Sequence, residues 1–195
     1  MSESNKLWER GKTSIPCGTQ TLGKSPIGFI EGVAPKYLAR GQGGRVWDVD
    51  GNQYLDCWLA CLPITFGHNV KEIDDAIIDQ LKDGIAFSMM HPIEVEVAEM
   101  LREDISIAEQ VRFAKNGSDV CEAGVRLARH LTGRDKVITC GYHGFHDWYI
   151  GSTDRNYGIP EVYSALTLRT EYNSLDHLKQ LFDVKCHIVG PGLKT

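Results

Sequence analysis

The spacing of apolar residues changes period several times along the chain. Up to about Pro35 it is weak and interrupted by Gly and Pro, which predicts an irregular arm with one short helix around Leu7. Val46, Trp47 and Val49, then Tyr54, Leu55 and Trp58, flank Asp50-Gly51-Asn52 and predict a β-hairpin. Val70, Ile73, Ile77, Ile78 and Leu81 fall at helical spacing, with Gly84 as the stop. A second amphipathic helix opens at Pro92 and uses Val95, Ala98, Met100, Leu101 and Ile105. Between these helices, Ile85 to His91 reads as a loop or short extended piece.

The next segment carries the most regular pattern. Gln110 to Ala114 reads as a buried strand. Val120, Ala123, Leu127, Ala128 and Leu131 form one face of a helix that stops at Gly133, and Val137 to Cys140 reads as a second strand. Strand, helix and strand within about thirty residues predict a βαβ unit, hence an α/β fold with a parallel sheet. After Gly144 the pattern loosens to about Tyr157. Leu166 to Leu168 suggests a strand, Ser174 caps a helix using Leu175, Leu178, Leu181 and Phe182, and Cys186 to Val189 reads as one more buried strand.

Composition narrows the class. The 195 residues carry 21 Lys+Arg against 26 Asp+Glu, a net charge of −5, and are 42% hydrophobic. That is ordinary for a globular protein. The absence of a basic stripe argues against nucleic acid as a partner. No apolar run approaches the roughly 18 residues of a membrane span, and Met1 to Lys12 is polar without an apolar signal core, so a cytoplasmic protein is expected. Six cysteines (17, 57, 61, 121, 140 and 186) form no C-x-x-C pair and are expected as reduced, buried thiols.

Two motifs fall where strands of an open parallel sheet are predicted to end, the place where such sheets bind ligands. Asn116-Gly117-Ser118-Asp119 opens a helix. Unpaired backbone N–H groups and the helix dipole there suit a phosphate, Gly117 lets the backbone come close, and Ser118 adds a hydroxyl. Asp119 would repel a phosphate and is expected to turn away from it. An equally simple reading is a well-capped helix. Gly141 to Trp148 is the second motif. Tyr142 could stack on a flat heterocycle, while His143, His146 and Asp147 could bind a metal or do acid–base work.

Phe113 to Arg129, Thr132 to Val137 and Tyr142-His143-Gly144 together resemble the class III pyridoxal-phosphate aminotransferases, in the glutamate-1-semialdehyde 2,1-aminomutase-like branch. Val46 to Asp56, Pro63 with Gly67-His68, and Pro92 to Val97 agree, in the same order. The likeness runs from about Leu7 to Trp148 and more weakly to Asp183. It implies a fold-type-I, aspartate-aminotransferase-like architecture, with residues 1–60 as arm and hairpin of a small domain and 61–195 as the first part of the cofactor-binding large domain. It implies pyridoxal 5′-phosphate as cofactor, held through Asn116, Gly117, Ser118 and Asp119, with Tyr142 stacked on the ring and His143 and Gly144 in the same signature. It implies a homodimer acting on a small amino donor and a carbonyl acceptor, with the loop of Ala86 to His91, including Ser88, near the partner's site.

Two departures matter. Where the aminomutase has Ser-Trp-Gly-Pro near its substrate, this chain has Ala60-Cys61-Leu62-Pro63, which favours a different substrate. The lysine that carries the cofactor as a Schiff base and the aspartate that pairs with its pyridinium nitrogen match no residue here. The expectation is therefore the N-terminal portion of a transaminase or aminomutase that grips the cofactor without supplying its catalytic lysine. Two alternatives are a non-catalytic subunit pairing with a full-length aminotransferase, and a metal-dependent hydrolase using His143, His146 and Asp147.

Overall fold

The computed structural model describes residues 2–183, which fall into two compact units divided between Met90 and His91. The strand expected at Cys186 to Val189 lies outside the described residues, as does Cys186.

The first unit is built on a three-stranded antiparallel sheet. β1 (Leu38–Gln42) pairs with β2 (Arg45–Asp48), which pairs with β3 (Gln53–Leu55). The hairpin between β2 and β3 is the predicted one, whereas β1 adds a strand that the weak pattern before Arg45 did not signal. Asp48 organises the turn. It accepts the amide N–H groups of Asp50 and Asn52, the Asn52 side-chain amide and the Tyr54 hydroxyl. Burial pushes the Asp48 carboxyl upward, but those hydrogen bonds outweigh it and hold the group below its ordinary range.

Asp50, in the same turn, reaches the N-terminal helix α1 (Glu3–Ser14). Its carboxylate accepts the N–H of Glu3 at 2.7 Å and of Ser4 at 3.2 Å, beside the Ser2 cap on Asn5 N–H. Two donors left over by the helix end are thereby satisfied. The expected short helix near Leu7 is thus a twelve-residue one. α2 (Lys71–Asp83) follows the expected spacing and stops at Gly84, yet its stripe of Ile73, Ile77, Ile78 and Leu81 stays exposed.

In the second unit, α3 (Pro92–Asp104) starts with proline in its first turn and a capping box. Here His91 Nδ1 accepts the N–H of Ile93, and Glu94 accepts the N–H of His91. α4 (Gly117–Thr132) ends on Gly133 in the left-handed region at φ 64°, whose N–H bonds Arg129 C=O. β4 (Val137–Cys140) runs parallel to β5 (Thr167–Thr170), with Val137 opposite Thr167 and Cys140 opposite Thr170. The connection carries two short helices, α5 (Asp147–Ile150) and α6 (Glu161–Leu166), and α7 (Leu175–Asp183) follows β5. Ser174 C=O accepts the N–H of Leu178, the bond expected of a residue capping α7. Val137, Trp148 and Tyr149 form the core, with Cys121 and Val125 of α4 and Ile150 packed against them. The buried Thr167 hydroxyl donates to Trp148 C=O and fastens β5 to α5.

Two expectations need correction. Gln110 to Ala114 forms no strand, and Phe113 is exposed. A strand needs a neighbour for its N–H and C=O groups, and among the described residues β4 is paired only with β5. The parallel pairing therefore comes from β4 and β5 across α5 and α6, not from a unit closed before α4. Second, Cys17, Cys57, Cys61 and Cys140 are exposed and Cys121 is half-buried, all as free thiols. Cys17 and Cys61 sit at positive φ in irregular turns that present their side chains outward, so periodicity was no guide to their burial.

Candidate cofactor site

The first turn of α4 offers donors. Asn116, in extended conformation, caps the helix by accepting the N–H of Asp119 on its side-chain oxygen at 3.1 Å. Among the described residues no acceptor takes the N–H of Gly117 or of Ser118. A Cβ built on Gly117 would meet nothing within 4 Å, so the space beside this exposed residue is open.

The loop after β4 is seated on that turn. Ser118 Oγ accepts the N–H of Phe145 at 3.2 Å, which leaves the hydroxyl hydrogen free to donate elsewhere. Gly144 lies at φ 99°, and a Cβ there would come within 2.4 Å of Ser118 Oγ and 2.9 Å of Ser118 Cα. Only glycine allows the loop to approach the helix so closely. The two motifs separated in sequence are thereby one structure.

The aromatic groups of the loop rest on a residue that the motif reading did not single out. Tyr149, only 4% exposed, donates its hydroxyl to Gly141 C=O at 2.7 Å. Tyr142 stands edge-on to it, ring centres 5.8 Å apart at 87°, and is itself 75% exposed. His143 also stands edge-on to Tyr149 at 5.4 Å, and its Nε2 donates to Cys140 C=O at 2.8 Å. Tyr149 belongs to the four-residue helix α5, too short for an amphipathic period to announce it.

His146 faces elsewhere. Its Nδ1 bonds Glu122 Oε2, and its Nε2 lies 3.6 Å from Asp119 Oδ1. The carboxylate of Asp119 thus lies beside the imidazole of His146. The metal reading fails on this geometry. His143 and His146 are committed to different partners, and among the described residues no three His, Cys, Asp or Glu side chains converge to hold a metal ion. A cleft of about 400 Å³ lies beside His146, lined by Glu122, Arg126, Arg129 and Tyr163 among others, but neither Ser118 nor Tyr142 borders it. The helix turn that bears Ser118 and the loop that bears Tyr142 lie outside this cleft.

Asn116, Gly117, Ser118, Asp119, Tyr142, His143 and Gly144 all belong to the second unit. Ala60, Cys61 and Ser88 belong to the first, and all three are exposed. Ala60 and Cys61 lie within Leu59–Leu62, four consecutive non-glycine residues at φ between 52° and 79°. Such a left-handed turn costs roughly 1–2 kcal/mol per residue. Its leading end is fastened by Asp56, which accepts the N–H groups of Trp58 and Leu59 and also the Nε2–H of His68 at 2.9 Å. The His68 bond, then the two amides, hold the Asp56 carboxyl below its ordinary range against the opposing effect of burial.

Residues 31–173 match the family model for Aminotransferase class-III. The chain is 37% identical over 184 residues to a 3-aminobutyryl-CoA aminotransferase of Cloacimonas acidaminovorans (strain Evry), covering 94% of this chain and 44% of that protein. It is 33% identical to a glutamate-1-semialdehyde 2,1-aminomutase of Anaeromyxobacter dehalogenans (strain 2CP-C), covering 93% and 44%. Among solved structures it superposes on the PLP internal aldimine form of the FumI protein of Sphingopyxis sp. MTA144. There the TM-score is 0.84 at 28% identity, over 93% of this chain and 43% of that one. The chain thus spans less than half the length of the proteins it matches.

Proposed function

Since this chain belongs to the class III aminotransferase family, of fold type I, we propose that it supplies the phosphate-holding and ring-covering part of a pyridoxal 5′-phosphate-dependent transaminase or aminomutase. The observation that carries this reading is the bond from Phe145 N–H to Ser118 Oγ, which seats an aromatic loop on an open, donor-rich helix end.

The residues present fit such a cofactor. The free N–H groups of Gly117 and Ser118, the Ser118 hydroxyl and the positive end of the α4 dipole would hold its phosphate. The exposed ring of Tyr142 would cover one face of the pyridine, kept upright by Tyr149. When bound, pyridoxal phosphate supplies the electron sink through which an amino group passes between a donor and a carbonyl acceptor. His143, tied to Cys140 C=O, fixes the backbone beneath Tyr142 and moves no proton. In this reading no lysine of the chain carries the cofactor or shuttles the substrate proton, because none matches the family position for that role.

The substrates are small amino donors and carbonyl acceptors other than glutamate-1-semialdehyde, given Ala60-Cys61-Leu62 in place of a serine and a tryptophan wall. The reading includes a homodimer working in the cytoplasm, without nucleic acid or membrane. Titration of the chain with pyridoxal phosphate, followed by cofactor absorbance and protein fluorescence, tests it. Saturable binding weakened by Tyr142→Ala is expected, with all cofactor removable after borohydride treatment. Absence of binding would overturn the cofactor assignment, and cofactor fixed to a lysine would overturn the division of roles.

A further inference from the structure

A dianion at the first turn of α4 would meet two carboxylates of the same helix, Asp119 and Glu122, three residues apart. Left free, both would lower the attraction of that turn for phosphate. Neither is free, because His146 stands between them with Nδ1 on Glu122 and Nε2 3.6 Å from Asp119 Oδ1. The imidazole is itself set from both sides. Phe145 before it is bonded to Ser118, and α5 after it places Trp148 and Tyr149 in the core. His146 is thus presented to the carboxylates of α4 by neighbours that are themselves fastened, Phe145 to Ser118 and Trp148 and Tyr149 in the core.

We propose that His146 is a positioning residue that draws the carboxylates of Asp119 and Glu122 away from the anion-holding end of α4, leaving the donors of Gly117 and Ser118 to face phosphate unopposed. This rests on the cofactor reading above. The role is electrostatic and concerns the phosphate, which distinguishes it from simple support of the loop.

The test compares pyridoxal phosphate with pyridoxal, which lacks the phosphate, on the full 195-residue chain. His146→Ala is expected to weaken pyridoxal phosphate about tenfold and to leave pyridoxal within about twofold. Adding Asp119→Asn and Glu122→Gln to His146→Ala is expected to restore pyridoxal phosphate affinity to within about threefold of wild type. Unchanged affinity in His146→Ala, equal loss for both ligands, or no restoration on removing the charges would overturn the proposal. If His146→Ala does not fold, His146→Gln decides, since it keeps most of the volume and can serve only one carboxylate. A loss of about threefold confined to pyridoxal phosphate supports the role, and none or an equal loss for pyridoxal refutes it. If the wild-type chain binds pyridoxal but not pyridoxal phosphate, or binds neither, the cofactor reading falls and takes this inference with it.

Discussion

The amide of Phe145 donates to the hydroxyl of Ser118 at 3.2 Å, across 27 residues of sequence. Through this bond the loop that bears Tyr142 and the helix end that bears the free amides are held as one body. Replacing Ser118 by Ala would remove both the acceptor for Phe145 and the hydroxyl donor. Calorimetric titration with pyridoxal phosphate is expected to show affinity roughly tenfold or more weaker, the usual worth of a hydrogen bond to a charged group.

Gly144→Ala places a methyl 2.4 Å from Ser118 Oγ, which can rotate away, and 2.8 and 2.9 Å from Ser118 Cβ and Cα, which cannot. Overpacking and a disfavoured positive φ should together cost about 1–3 kcal/mol. Urea unfolding of the single variant, and of its combination with Ser118→Gly, measures this. Part of the loss should return in the double variant, where the clash with Ser118 Oγ and Cβ is gone.

Tyr149→Phe keeps the ring that supports Tyr142 and His143 but loses the hydroxyl that grips Gly141 C=O. A stability loss of about 1 kcal/mol is expected in urea unfolding. Removing the ring as well, in Tyr149→Ala, should cost 3–5 kcal/mol or about that. Pyridoxal phosphate binding should weaken in the second variant far more than in the first.

The carboxyls of Asp48 and Asp56 are held below their ordinary range by hydrogen bonds made only in the folded chain. Each therefore adds stability that is fully present above the unfolded value of about 4 and is lost as the pH falls through the folded one. Thermal midpoints recorded from neutral pH downward should stay level and then decline below about pH 4. Asp48→Asn should lower the plateau and flatten the decline.

The turn at Leu59–Leu62 forces side-chain-bearing residues into the mirror-image region of backbone space. Ala60→Gly should relieve part of that strain and raise stability by about 0.5–1 kcal/mol, the reverse of its effect in an ordinary helix. An unchanged or lowered unfolding midpoint would count against the strain.

How much of this could be read from residues alone depended on how local the cause was. The hairpin around Asp50-Gly51-Asn52, the helix stopped by Gly84 and the helix opened by Pro92 are set by neighbouring residues, and all three stand where the spacing put them. Gln110 to Ala114 has the composition of a buried strand, but a strand exists only beside another, and that partner is not a property of the segment. The cysteines failed for a related reason, since apolar character signals burial only where some other element covers it. At the site, Ser118, Asp119 and Tyr142 were visible because their chemistry is unusual at a helix start or after a strand. Tyr149 was not visible, because its part is played through a contact that forms only once α5 folds back under the loop.

Asp50 has a consequence for the order in which the chain assembles. An isolated twelve-residue helix is marginal in water, and the first two amides of α1 are held by a carboxylate 46 or 47 residues later. During synthesis the segment that becomes α1 and its Ser2 cap emerge long before the Asp50 carboxylate does. The segment waits, in effect, for the hairpin to close, and amide exchange in α1 should be no slower than in the turn that bears Asp50.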